Sequence, residues 1–150
     1  KNQDRVEWLV EKAVEIGIDE LSFFTCQHSE RKKLNLERLE KKAIAAMKQS
    51  VKARLPQINP IINFKELTKQ VPAEYEKFIA CVPANEQQLK NLIPLQKRYC
   101  LLIGPEGGFS KKEVSQAEGA GFKVVSLGNN RLRTETAALI GCHTFHLING

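Results

Sequence analysis

The sequence lacks long apolar runs and paired cysteines. No stretch of its 150 residues approaches 18 uninterrupted apolar residues, and no apolar segment follows a basic start. These absences argue against a membrane-spanning helix and a secretory signal, so we expect a cytoplasmic protein. The four cysteines form no C-x-x-C pair and each lies in or beside an apolar run, which predicts buried, reduced thiols. They are Cys26, Cys81, Cys100 and Cys142.

Metal-binding residues are also too few. Cys142 adjoins His143, which shares a helix face with His146, but a zinc site needs more ligands at suitable spacing. We therefore expect no metal.

Size and composition fit one folded domain. Hydrophobic residues make up 42% and charged residues 27% of the chain, which is too apolar for a disordered protein. Internal repeats and low-complexity linkers are missing. The chain begins with Lys1 rather than Met, so we expect 1–150 to be one domain of a longer protein.

The positive charge is concentrated in one segment. Residues 30–54 contain nine Lys or Arg and three Glu, which accounts for the whole net charge of +6. Localised charge of this kind favours a polyanionic partner, with nucleic acid ahead of an acidic membrane surface. A solvated helix face is the alternative interpretation.

Helical and strand-like periodicities alternate along the chain. Amphipathic patterns predict helices at 4–16, 36–53, 65–71, 86–93 and 110–120, with Gly17 ending the first and Pro56 the second. On the 36–53 helix a basic stripe is predicted opposite the apolar side, formed by Arg38, Lys41, Lys42, Lys48 and Lys52. The 134–148 helix is apolar nearly all round, which predicts burial in this core or against another subunit. Strands are predicted at 18–25, 58–63, 77–82, 98–103 and 122–127. The alternation indicates an α/β fold with a mainly parallel sheet flanked by helices.

The first notable loop follows the 98–103 strand and reads IGPEGGFS, from Ile103 to Ser110. Its glycines permit tight turns and close approach of a ligand to main-chain atoms. Ser110 and Glu113 form the capping-box pattern S-x-x-E. Neither G-x-G-x-x-G nor the P-loop pattern fits, and the carboxylate of Glu106 would repel a phosphate. The loop thus suits a ligand such as a purine ring, with a turn that binds nothing as the alternative.

The second loop follows the 122–127 strand and reads SLGNNRLRTETA. Asn129 and Asn130 tolerate left-handed backbone, and Thr134 is predicted to cap the last helix. Placing charged arginine and glutamate side chains beside an apolar core costs free energy unless the charges are paired or take part in function. A structural Arg–Glu pair and a catalytic role both remain open.

Together the two loops resemble the ribosomal small-subunit methyltransferase E family. IGPEGGFS and LG-x-x-RLRTETA are similar to that family's C-terminal half, KNQDRVEWLVEKAVEIGIDEL to its opening helix, and HSER and MKQSVKARLP to its basic segments. The resemblance covers nearly all of the chain. Lys52 and Asn130 depart from it, since arginine is common at both positions.

The resemblance implies an S-adenosylmethionine-dependent enzyme of the SPOUT class that methylates N3 of a uridine in 16S ribosomal RNA of the small subunit. It also implies a C-terminal trefoil knot, a homodimer formed through the knot region, and an N-terminal RNA-binding β-barrel domain that 1–150 does not contain.

The implied site residues form three groups. Cofactor binding falls on Pro83, Ala84, Ile103, Gly104, Pro105, Glu106, Gly107, Leu127, Gly128, Leu132, Arg133 and Thr134. Orientation or deprotonation of the base falls on Arg133 and Glu135. RNA contact falls on Arg5, Arg31, Lys48, Lys52 and Arg54.

Two other hypotheses compete with the methyltransferase. One is a non-catalytic RNA-binding α/β module that uses the basic 30–54 segment. The other is a metabolic α/β enzyme whose basic patch only aids solubility. Binding of S-adenosylmethionine separates these from the methyltransferase.

Overall fold

A computed structural model describes residues 3–30, 33–81 and 87–150 as alternating helices and short strands. The helices are α1 (Gln3–Ile16), α2 (Leu36–Gln49), α3 (Phe64–Gln70), α4 (Lys111–Gly119) and α5 (Thr134–Asn149). The strands are β1 (Glu20–Leu21), β2 (Phe24–Thr25), β3 (Gln57–Ile58), β4 (Ile62–Asn63), β5 (Glu76–Ala80), β6 (Tyr99–Ile103) and β7 (Lys123–Val125).

All the strand pairs that the structure describes are parallel. β1 pairs with β3, β2 with β4, and the remaining three strands lie in the order β6-β5-β7. Phe78 at the centre of β5 pairs with Leu101 on one side and Lys123 on the other, and its side chain is fully buried. The predicted α/β class with a parallel sheet is confirmed, whereas the knot stays a prediction.

The N-terminal half is held together by α1 against α2. The predicted apolar stripes meet in one cluster, and Trp8 stays outside it with 44% of its surface exposed. Gly17 ends α1 as predicted, with φ +107° and a hydrogen bond from its N–H to the carbonyl of Ala13. The cluster's buried residues are Val10, Val14, Leu39, Ala43 and Ala46.

Helix α2 ends earlier than predicted. It stops at Gln49 rather than at residue 53, because Val51 adopts a left-handed backbone (φ 55°) and the N–H of Lys52 donates to the carbonyl of Met47 over 3.0 Å. This is a Schellman-type turn, at which glycine is the usual residue and a β-branched residue is strained. Lys52 therefore does not lie on the α2 stripe where the sequence placed it.

The predicted 86–93 helix is wrong. Within its described part, only Leu89–Asn91 form a helical turn, of the 3-10 type. The N–H of Ser126 donates to the carbonyl of Gln87, and the carbonyl of Ser126 accepts from the N–H of Leu89. These bonds hold residues 87–88 extended beside the end of β7, so the backbone groups that a helix would use are already paired.

Helix α5 is not buried within this chain. Gly141 is its only buried residue, and a Cβ there would stand 2.2 Å from Cδ2 of Leu101 on β6. The helix therefore packs closely on the sheet at Gly141, and its Phe145 stacks on Tyr99 of β6, while Leu147 keeps 70% of its surface exposed. Of the two predicted locations for this apolar helix, the core of this chain accounts for part of its surface, and contact with another subunit stays a prediction.

The four cysteines are free, as predicted, but half-buried rather than buried. Burial nevertheless raises the pKa of the Cys100 thiol to about 12 and that of Cys142 to about 11. Among residues 3–30, 33–81 and 87–150, no helix is long and apolar enough to cross a membrane, and no group of three potential ligands is placed to hold a metal ion.

Candidate active site

The two loops singled out in the sequence emerge from the same edge of the sheet. β6 and β7 flank β5 and run parallel to it, so the segments that follow them leave at one end. This edge is where open α/β sheets bind ligands. Pro83 and Ala84, which follow β5 and are also implied to bind the cofactor, lie outside the described residues.

A hydrogen bond joins the two loops. The hydroxyl of Thr134 donates to the carbonyl oxygen of Gly104 over 2.9 Å. The prediction that Thr134 caps α5 is therefore wrong: Arg133 occupies the cap position and makes no side-chain capping bond. The Thr134 hydroxyl is used to dock the start of α5 on the glycine loop instead.

The predicted cofactor residues combine apolar side chains with accessible main chain. Ile103, Leu127 and Leu132 are half-buried around the two loops. Gly128 has φ +125° and open space where a Cβ would stand, so its backbone needs glycine and stays approachable. Apolar walls with a few main-chain donors and acceptors are typical of a small-molecule site.

The glycine loop is braced from the N-terminal half. The capping box at α4 is present, and the Glu113 carboxylate that completes it also accepts from the N–H of Gln27 over 2.7 Å. His28 Nδ1 lies 3.0 Å from the carbonyl oxygen of Gly108. A Cβ on Gly107 would stand 2.8 Å from Cβ of His28, so this glycine is required for packing. Sequence reasoning missed His28, although it lies in the HSER segment of the resemblance.

The candidate catalytic residues differ in their surroundings. Glu135, in the first turn of α5, is 18% exposed and lies 3.6 Å from Nε of Arg5. Nη1 of the same guanidinium is 3.9 Å from Glu106 in the glycine loop. Arg133 is exposed and pairs with no acidic side chain in the described ranges. The Arg–Glu pair that the sequence left open thus involves Arg5, 130 residues before Glu135.

The predicted basic stripe of α2 is partly neutralised within the chain. Arg38 pairs with Glu7 at 2.6 Å and Lys42 with Glu11 at 2.8 Å, both across the α1–α2 interface. Lys42, with Lys12, lowers the pKa of Glu11. Two positive charges of the stripe are therefore paired with acidic residues of α1, and the stripe has less unpaired positive charge than its composition indicates.

The predicted RNA residues do not form one patch. Lys48 on α2 and Arg54 in the following loop are exposed. Nζ of Lys52 lies 3.5 Å from where a Cβ of Gly17 would stand, beside the C-terminal end of α1, where a cation is favourable. Arg5 lies at the glycine loop, and Arg31 is outside the described residues.

A cavity of about 510 Å³ lies beside this site, where α3 and α4 begin. Most of its lining residues are of polar types, and they include Gln27, Ser29, Lys65, Lys112 and Glu113. No predicted cofactor residue lines it. The cavity and the paired loops share the 26–29 turn as a common wall, because Gln27 lines the cavity and His28 contacts the glycine loop.

Comparison with solved structures gives close matches to the whole described fold. A probable rRNA methyltransferase from Porphyromonas gingivalis is 43% identical with a TM-score of 0.94, over 99% of this chain and 63% of that one. The ribosomal RNA small subunit methyltransferase E of Neisseria gonorrhoeae, solved with S-adenosyl methionine, is 31% identical with a TM-score of 0.86, over 96% of this chain and 61% of that one.

Sequence comparison points the same way. Ribosomal RNA small subunit methyltransferase E of Mesomycoplasma hyopneumoniae is 35% identical over 138 residues, which are 89% of this chain and 60% of that protein. The chain thus spans about three fifths of the length of this relative. A family model described as RNA methyltransferase domain matches residues 1–146. The resemblance seen in the sequence is confirmed, and the chain belongs to the RNA methyltransferase domain family.

Proposed function

We propose that the chain is the catalytic domain of an S-adenosylmethionine-dependent methyltransferase that acts on N3 of a uridine in 16S ribosomal RNA, in the cytoplasm. The observation that carries this proposal is the pair of loops at one sheet edge, joined by the bond from Thr134 to Gly104. Two of the similar structures were solved with this cofactor. The family membership supplies the reaction class.

In this proposal the residues of the two loops hold the cofactor, which supplies an electrophilic methyl group on a sulfonium. Half-buried Ile103, Leu127 and Leu132 exclude water from it. Methylation at N3 requires loss of a weakly acidic N–H proton. The Glu135 carboxylate accepts that proton, and the exposed Arg133 guanidinium stabilises the uracil anion.

Cofactor binding tests the proposal directly. Calorimetry with S-adenosylmethionine and with its demethylated product is expected to show one site per chain. The absence of binding to either compound would exclude the methyltransferase and favour the RNA-binding module. Transfer of a tritiated methyl group to hypomethylated small ribosomal subunits then tests the substrate.

RNA contact is proposed for Lys48 and Arg54, which are exposed and make no ion pair with another described residue. Replacing both by glutamate is expected to weaken RNA binding and to flatten its dependence on salt, because fewer phosphates are neutralised. Lys90→Glu with Lys97→Glu makes the same change in total charge elsewhere on the surface and is the control. Equal salt slopes for the two double variants would remove this surface from the proposal.

A homodimer is the last part of the proposal. Helix α5 is rich in apolar residues, and although it packs on α1 and stacks Phe145 on Tyr99, most of its residues stay only half-buried within this chain. A second copy of the chain would cover the remainder. Exposed Leu147 and the half-buried residues along α5 support this arrangement.

A further inference from the structure

Arg5 lies where three parts of the chain meet. It belongs to the first turn of α1, and its guanidinium reaches Glu106 in the glycine loop and Glu135 in the first turn of α5. The two carboxylates come from the two loops that form the proposed cofactor site. One cation from the far end of the sequence therefore bridges both.

The distances indicate an electrostatic link. At 3.6 Å to Glu135 and 3.9 Å to Glu106, the guanidinium atoms are in ion-pair range but beyond ordinary hydrogen-bond length. Glu135 is the more buried partner, with 18% of its side chain exposed against 58% for Glu106. A partly buried carboxylate is costly to keep charged without a counterion. Arg5 supplies that counterion.

From this geometry we infer that Arg5 is a positioning residue of the methyltransferase site, which fixes the glycine loop and the Glu135 carboxylate relative to one another. Without it, two carboxylates on neighbouring loops would lose their shared counterion and repel each other. The direct bond from Thr134 to Gly104 would then hold the loops alone. This inference rests on the proposed function, because the proposed function makes the two loops a single binding site for S-adenosylmethionine.

Arginine suits this role better than lysine. Its planar guanidinium presents several N–H groups in fixed directions, so that Nη1 faces one carboxylate while Nε faces the other. A lysine at this position would keep the charge but would face both carboxylates with a single ammonium. Replacing Arg5 by lysine should therefore weaken cofactor binding by a different amount from replacing it by an uncharged residue.

The test compares Arg5→Gln, Arg5→Lys and Arg38→Gln in calorimetric titrations with S-adenosylmethionine. Arg38→Gln is a matched control, because it also removes an Arg–Glu pair with a residue of α1, that of Glu7, but away from the loops. We expect Arg5→Gln to raise the Kd about tenfold, Arg5→Lys to raise it less, and Arg38→Gln to leave it unchanged. Melting temperatures without cofactor should fall equally in Arg5→Gln and Arg38→Gln.

A double variant separates positioning from general damage. If Arg5 acts through the glycine loop, adding Glu106→Gln to Arg5→Gln should cost less affinity than Glu106→Gln does alone. Additive losses, or a Kd for Arg5→Gln equal to that of wild type, would overturn the inference while leaving the proposed function intact. A wild-type chain that binds no cofactor would instead overturn the proposed function, and the inference with it.

Discussion

Replacing Glu135 by glutamine is expected to lower the rate of methyl transfer by about 10²- to 10⁴-fold, the usual contribution of a general base. The amide keeps the size of the side chain but cannot accept the N3 proton. Because Glu135 is also one end of the Arg5 bridge, the affinity for S-adenosylmethionine should fall by no more than in Arg5→Gln, and the rate is therefore compared at saturating cofactor. Single-turnover transfer of a tritiated methyl group to hypomethylated subunits measures the rate, and calorimetry measures the affinity.

Glu106→Gln is the control for this prediction. It removes the other carboxylate that faces Arg5, but from a side chain that is 58% exposed and has no proposed part in proton transfer. We expect its effect to fall on cofactor affinity rather than on the rate at saturation. A Glu135→Gln variant that retains near wild-type turnover would show that the proton leaves by another route, and Arg133 would remain as the only candidate from the sequence.

Gly107→Ala is expected to destabilise the domain by about 1–3 kcal/mol, as overpacking usually does, and to weaken cofactor binding. The new Cβ would stand 2.8 Å from Cβ of His28, and no side-chain rotation moves either atom. The loop or the 26–29 turn must therefore shift, which strains the contact of His28 with the Gly108 carbonyl. Urea denaturation measures the first effect and calorimetry the second.

Two further variants sharpen this result. Gly119→Ala in α4 adds the same methyl group where nothing lies within 4 Å, so it should be neutral or stabilising. Combining Gly107→Ala with His28→Gly removes the clash and should recover part of the lost cofactor affinity. If Gly107→Ala binds cofactor as wild type does, the bracing of this loop by the 26–29 turn has no role in the site.

Local patterns were sufficient to predict most of the fold. The apolar stripe of α2, the capping box at Ser110 and the end of α1 at Gly17 each depend on residues within a few positions of one another. The failures share a cause, which is contact with distant segments. Residues 87–88 are extended because Ser126 pairs with them, and Thr134 does not cap α5 because its hydroxyl donates a hydrogen bond to the carbonyl oxygen of Gly104.

The site shows the same division between features set by local patterns and features set by distant contacts. Its two loops were identifiable because glycines and polar residues follow apolar strands at the same edge of a parallel sheet. The use of Arg5 there, and the loss of free charge at Arg38 and Lys42, depend on which acidic residues the fold brings near. Charge counts along the sequence contain no such information. The knot and the roles of Arg133 and Glu135 stay predictions.

The raised pKa values of Cys100 and Cys142 make the two thiols slow to react while the domain is folded. Cys100 lies on β6 and Cys142 on α5, and burial is the main cause at both positions. Alkylating reagents attack the thiolate, which is scarce at neutral pH when the pKa is about 12 or about 11. Labelling of these cysteines should therefore be slow in the folded domain and fast after unfolding, so its rate reports how often the domain opens.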